Sequence, residues 1–296
     1  MNAAQASRPA IAKLVVIGVG LIGASAALAL RAAGSVGRVF GIGRSQANLD
    51  EAMAGGAIDA VGRYDAETLA DADIVLVAVP VAQTGAVLAA LAPWIGPGTV
   101  VTDAGSTKHD VVAIARARLG DAFARFVPAH PVAGAERSGA AAAAPGLYAG
   151  RHVILTPVAE TSAEAIGTVE RMWRFCGAHV TRMAPDRHDE VLAAVSHLPH
   201  VLAFALVGRL AGQPDADEFF DLAGPGFRDF TRIAASSPEM WRDICLANRE
   251  ALLAALDGYL DVVGALREQI ATGDGEALLE AFARASAARL NWTGCQ

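Results

Sequence analysis

Residues 13–23 run Lys13-Leu14-Val15-Val16-Ile17-Gly18-Val19-Gly20-Leu21-Ile22-Gly23. Lys13–Ile17 is aliphatic and β-branched, the composition of a strand. Three glycines follow at GxGxxG spacing, and the Ala/Leu-rich segment Leu21–Ala33 after them reads as a helix. Strand, glycine loop and helix in this order give the motif a physical meaning. Gly18 makes the tight turn, Gly20 lets backbone N–H groups approach a pyrophosphate, and Gly23 lets the helix pack close to the strand. The helix N-terminus adds partial positive charge toward the phosphates. Gly18, Gly20, Leu21, Ile22 and Gly23 are thus predicted to bind a dinucleotide.

The same alternation continues outward from this loop. Val36–Ile42, Ile74–Val79, Thr99–Thr102, Phe126–Ala129, His152–Thr156 and His179–Met183 read as strands, and Gln46–Gly55, Val81–Leu91, Lys108–Leu119 and Ala163–Cys176 as helices. Such spacing predicts an α/β, Rossmann-type, doubly wound parallel sheet. Val79 and Pro80, at a strand end, join the predicted cofactor site. After Met183 the strand signals stop. Pro185 can open a helix, and Asp186–Leu210, Met240–Glu268 and Gly275–Arg289 are helical in pattern. The chain of 296 residues therefore divides into a dinucleotide-binding domain, 1–184, and an all-α domain, 185–296. About 110 residues make a small core, and these helices are apolar on several faces, which predicts a homodimer through the helical domain.

An apolar fraction of 53% excludes disorder. The mean hydropathy of +0.37 agrees. With 24 Lys+Arg against 31 Asp+Glu the formal charge is −7, so nothing favours nucleic acid or an anionic membrane. Segments 14–30 and 74–102 are uncharged. Glycines interrupt the first, and Pro80, Pro93 and Pro97 cut the second, so neither is expected to be a leader or a membrane span. Cys176, Cys245 and Cys295 are far apart with no CxxC. That excludes a disulfide framework and a Cys-rich zinc site, and it suits a cytoplasmic protein.

The second strand ends Gly41-Ile42-Gly43-Arg44-Ser45, with no carboxylate before Asp50. A site for NAD usually carries Asp or Glu there, on the ribose 2′-hydroxyl. Arg44 and Ser45 suit a 2′-phosphate instead, which predicts NADP in preference to NAD.

Four further segments gather polar residues: Asp103-Ala104-Gly105-Ser106-Thr107-Lys108, His130-Pro131-Val132-Ala133-Gly134, Ser196-His197-Leu198-Pro199-His200, and Gly226 to Arg232 followed by Met240-Trp241. Each alone has a bland explanation: a strand-end serine caps a helix, a single histidine is structural, and Arg228 pairs with Asp229. Together, and in this order, they resemble the prephenate/arogenate (cyclohexadienyl) dehydrogenase family of tyrosine biosynthesis. The resemblance runs from GVGLIGAS through DAGSTK, HPVAGAERSG and SHLPH to GFRDFTRIA and MW, with Val132 where methionine is more usual. No chorismate mutase domain is expected before the loop, and no ACT-type domain after the helical half. The resemblance implies oxidative decarboxylation of prephenate to 4-hydroxyphenylpyruvate, of arogenate to tyrosine, or both. His130 would accept the proton of the ring hydroxyl. Ser106 would hydrogen-bond between His130, the hydroxyl and the nicotinamide. Arg232 would bind a substrate carboxylate. Ser196, His197 and His200 would line the pocket or support it, and Trp241 would close it from the partner subunit or else be a buried helix anchor. Two other readings fit the organisation: a Rossmann-plus-helical dehydrogenase of the β-hydroxyacid or imine reductase type, and a non-catalytic NADP-binding redox sensor. The first type places a lysine or different polar residues on the helix where this chain has SHLPH.

Overall fold

The structure is a computed structural model that describes residues 9–134 and 138–292. Six strands form the central sheet: β1 (Ile11–Ile17), β2 (Val36–Ile42), β3 (Ala60–Val61), β4 (Ile74–Val77), β5 (Val100–Asp103) and β6 (Phe126–Val127). All pair in parallel, in the order β3-β2-β1-β4-β5-β6. Helices α1 (Leu21–Ala32), α2 (Gln46–Ala54), α3 (Ala66–Leu69), α4 (Thr84–Leu91) and α5 (His109–Leu119) connect them. The strand order reverses beside β1, and ligands of open α/β sheets bind at the carboxyl ends of the strands at that point.

Side-chain alternation along β1 builds two cores. Leu14 and Val16 pack with α1 on one face, while Val15 and Ile17 pack with Val75, Val77 and Leu88 on the other. α6 (Ala163–Phe175) covers the first face through buried Met172 and Trp173. The uncharged segments 14–30 and 74–102 resolve into strands and helices of this domain.

One expectation is corrected. The strands near residues 129, 152 and 179 do not extend the parallel sheet. β7 (Ala129–Pro131), β8 (His152–Leu155) and β9 (His179–Arg182) form a separate three-stranded sheet in which β7 runs antiparallel to β8. Pro128 separates β6 from β7 because it has no N–H for a ladder. Its carbonyl accepts instead from the N–H of Thr156 in the small sheet, at 2.9 Å.

The rest of the chain is helical: α7 (Pro185–Leu192), a π-helical turn (Ala193–His197), α8 (Leu198–Ala211), α9 (Ala216–Asp221), α10 (Pro225–Thr231), α11 (Pro238–Ala247), α12 (Arg249–Thr272) and α13 (Gly275–Asn291). The helix expected over Met240–Glu268 is broken at Asn248, whose backbone leaves the helical region and whose side chain is drawn into a buried network described below. The run Pro185–Ala211 is long and apolar enough to cross a membrane by length and composition. In the fold it forms one wall of the cleft between the domains.

Candidate active site

The glycine loop is held where phosphates would lie. Gly18 has φ +92°, and a Cβ there would stand 2.3 Å from the Ala78 carbonyl oxygen. A Cβ on Gly23 would stand 2.4 Å from the Gly18 carbonyl oxygen, so α1 and β1 meet only without it. Gly20 is different: nothing lies within 4 Å of a Cβ built there. It opens α1 with no side-chain cap and no acidic residue in the first turn, which leaves N–H groups facing open space. This cradle fits a dinucleotide pyrophosphate. Asn48 secures it, donating to the Val19 carbonyl and accepting from the N–H of Ala140 at 2.8 Å.

The cleft in front of the loop has a volume of about 1190 Å³ and runs between the strand ends and the helical domain. Gly20, Leu21, Ile22, Val79, Pro80, Ser106 and His130 line one side, and Ser196, His197, His200, Arg232 and Trp241 the other. Gly18 and Gly23 lie beneath the loop, outside the lining. Arg44 and Ser45 are exposed at the end of β2, also outside it, and the Ser45 hydroxyl accepts from the N–H of Asn48 at 3.3 Å as the cap of α2. Ala135, Glu136 and Arg137 of the HPVAGAERSG motif lie outside the described residues.

His130 stands on β7, paired with Ile154 of β8. Its position is set by a buried ion pair beneath it. Asp103 ends β5, and Lys108 precedes α5. Lys108 Nζ donates to Asp103 Oδ2 and, at 2.8 Å, to the Ala129 carbonyl, while Asp103 Oδ1 accepts from the Ala129 N–H at 3.0 Å. Residue 129 is therefore gripped through both backbone groups. The His130 ring lies with Nδ1 2.8 Å from His188 Nε2. Burial, with the positive charge of Lys108 nearby, pushes its pKa well below the ordinary imidazole value.

The π-helical turn brings Ser196 and His197 to the cleft wall. Such a turn is rare and often lies at a functional site. His197 Nδ1 faces the amide of Asn248 at 3.0 Å, and burial pushes its pKa down to about 4. His200 Nδ1 donates to the Ser196 carbonyl at 2.8 Å, and its ring stacks on Trp241 at 3.6 Å between centroids. Trp241, 8% exposed, reaches the cleft of its own chain. Arg232 begins the turn after α10, close enough that its charge helps to lower the pKa of His200, after burial.

Residues 26–182 match the family described as "Prephenate dehydrogenase, nucleotide-binding domain", and residues 184–284 match "Prephenate dehydrogenase, dimerization domain". The chain belongs to the prephenate dehydrogenase family. The cyclohexadienyl dehydrogenase of Zymomonas mobilis is 38% identical over 279 residues, 94% of either chain. The prephenate dehydrogenase of Bacillus subtilis is 35% identical over 274 residues, 91% of this chain and 73% of its own. Among solved structures, prephenate dehydrogenase from Aquifex aeolicus in complex with hydroxyphenyl propionate and NAD+ has a TM-score of 0.88 at 36% identity, covering 94% of this chain and 97% of its own. Synechocystis arogenate dehydrogenase has a TM-score of 0.79 at 28% identity, covering 94% of this chain and 98% of its own. Family membership favours the reading drawn from SHLPH and GFRDFTRIA over the β-hydroxyacid or imine reductase alternative.

Three residues of this prephenate dehydrogenase family member were not singled out in the sequence. His188, Asp189 and Asn248 form a buried polar network behind His130 and His197. Local sequence hides them, because Asp186-Arg187-His188-Asp189-Glu190 reads as a solvated helix start.

Proposed function

We propose that this chain carries out NAD(P)-dependent oxidative decarboxylation of prephenate to 4-hydroxyphenylpyruvate, of arogenate to tyrosine, or both, in tyrosine biosynthesis. The observation that carries the reading is a histidine held neutral, His130, in the wall of a cleft that also contains the glycine loop and Arg232. A bound nicotinamide supplies the hydride acceptor. His130 takes the proton of the ring hydroxyl as the carbonyl forms and hydride leaves the same carbon. Ser106 orients the hydroxyl. The bond from ring to carboxylate then breaks, its electrons complete the aromatic ring, and CO2 departs. Arg232 binds a substrate carboxylate, while Ser196, His197, His200 and Trp241 shape the pocket. Activity of the purified chain with prephenate and arogenate, each with NAD and NADP, tests this. Turnover in none of the four combinations overturns it.

The preference for NADP rests on Arg44 and Ser45, exposed at the end of β2, with no carboxylate in the chain between them and Asp50. Arg44→Ala is expected to weaken NADP by about 1.5–3 kcal/mol, the range for a hydrogen bond to a charged group, and to leave NAD unchanged. The check is kcat/KM for each cofactor, and a clear NAD preference in the wild type removes this role for Arg44.

A homodimer through the helical domain follows from apolar side chains that the single chain leaves in water. Of the 24 residues of α12 only Leu252 is buried, and α13 has none. Ile270 is 66%, Leu279 71% and Leu290 80% exposed. Large apolar side chains exposed on two long helices in this way suit an interface. Sedimentation at micromolar concentration is expected to give twice the chain mass of 30.4 kDa. A monomer alone refutes the assignment.

A further inference from the structure

We infer that His188 sets the working tautomer of His130, and that Asp189 sets that of His188; the catalytic part of this inference rests on the proposed role of His130 as the base. His188 is fully buried in α7, so both of its ring nitrogens need partners inside the protein. They have them. Nδ1 lies 2.7 Å from Asp189 Oδ1, and Nε2 lies 2.8 Å from His130 Nδ1.

The direction of each bond follows from the far end of the chain. Asp189 Oδ1 also accepts from the N–H of Lys108 at 2.9 Å, and Oδ2 accepts from the N–H of His109 at 2.8 Å. Burial alone would raise the pKa of Asp189, yet these donors and His188 hold it below the ordinary carboxylate value. An ionised carboxylate only accepts. His188 therefore donates from Nδ1 and, being neutral, presents a lone pair at Nε2. Its neutrality follows from burial and the nearby Lys108, which outweigh Asp189 and Asp103. A lone pair at His188 Nε2 requires a proton on His130 Nδ1, which leaves His130 Nε2 bare. The bare nitrogen is the one able to take a proton from the substrate hydroxyl. In the other tautomer two lone pairs would face each other across 2.8 Å. His188 is thus a positioning residue. When His130 becomes an imidazolium, its Nδ1–H already has an acceptor.

The charged and titratable groups around the pair come from four elements. Lys108 and Asp103 lie below, Asp189 lies beside His188, and His197 faces His130 from the π-helical turn. The chain also joins the domains, because Asp189 belongs to the helical half and receives its N–H bonds from the start of α5.

The tautomer is read directly from ring 15N shifts in the full chain labelled at its seven histidines. Wild type is expected to show His130 protonated at Nδ1. His188→Phe keeps an aromatic ring but removes the acceptor. It is expected to move His130 toward the Nε2–H form and to lower kcat on the order of tenfold or more, as for other imidazoles in the wrong tautomer. Cofactor KM should stay constant. The acid limb of kcat should move to lower pH, because the imidazolium loses its partner. His188→Gln retains an acceptor oxygen and should fall between the two in tautomer, rate and limb. His130 protonated at Nε2 in the wild type overturns the inference. So does His188→Phe with an unmoved acid limb, or His188→Gln no better than His188→Phe. If neither prephenate nor arogenate is turned over, the functional proposal fails, while the 15N shifts still decide this one.

Discussion

His130→Asn is expected to lower kcat by about 10²–10⁴, the contribution of a general base. Asparagine can still hydrogen-bond to His188 but cannot take the hydroxyl proton. The glycine loop is untouched, so cofactor affinity should hold. The pH dependence makes the test sharper. Only neutral His130 can act, so activity is lost as pH falls through its pKa. From sequence alone that limb belongs near ~6.5, the ordinary imidazole value. Burial and the nearby Lys108 charge push it well below that value. Wild-type kcat is therefore expected to be flat through neutral pH and to drop only in distinctly acid buffer. Arg232→Ala should show the opposite pattern, a raised KM for substrate with a smaller loss of kcat. If His130→Asn keeps near wild-type kcat, or retains the same acid limb, the base lies elsewhere. His197 and His200 are then the candidates, and both already commit Nδ1 to Asn248 or to the Ser196 carbonyl.

Lys108→Met is expected to destabilise the fold by about 3–5 kcal/mol, the cost of leaving one member of a buried ion pair without its partner. The Lys108 side chain is 0% exposed and that of Asp103 2%. Methionine fills similar volume, so the loss reports the ammonium group, its ion pair and its hydrogen bond to the Ala129 carbonyl, and not a cavity. Against a total stability of about 5–15 kcal/mol, this brings the domain close to unfolding. Adding Asp103→Asn should recover part of the loss, because position 103 then no longer holds an unpaired buried charge. Urea unfolding at neutral pH measures both variants. A loss below about 1 kcal/mol, the scale of an exposed pair, would show that the ion pair is not stabilising. Folded Lys108→Met should also lose kcat, since the grip on residue 129 that places His130 is halved.

The glycine loop, five of the six strands of the central sheet and the helical second half were legible because each is encoded locally; the two-residue edge strand β3 was too short to leave an apolar run. A buried parallel strand is a short apolar run, and GxGxxG between such a run and a helix leaves little alternative. Ser106, His130, His197, His200 and Arg232 were legible through their motifs, and the fold brings them to one cleft. The partnership of the last three strands was not. Strand composition says that a segment pairs, not with which neighbour, and the turn at Pro128 sends β7 to β8 instead of onward from β6.

By itself, then, the sequence determined the element types, the phosphate-binding turn, the division into an α/β and a helical half, and the family. These depend on periodicity, steric demands at single glycines and motif order, all of which act over short stretches of chain. Only the tertiary structure decided that His188, Asp189 and Asn248 are interior. Their neighbours in sequence are charged and helical, and nothing in a one-dimensional pattern distinguishes a solvated polar residue from one whose partners lie 58 or 81 residues away. The same holds for the protonation of His130. Its pKa and tautomer are set by burial and by hydrogen-bond partners, which exist only after distant segments have been brought into contact.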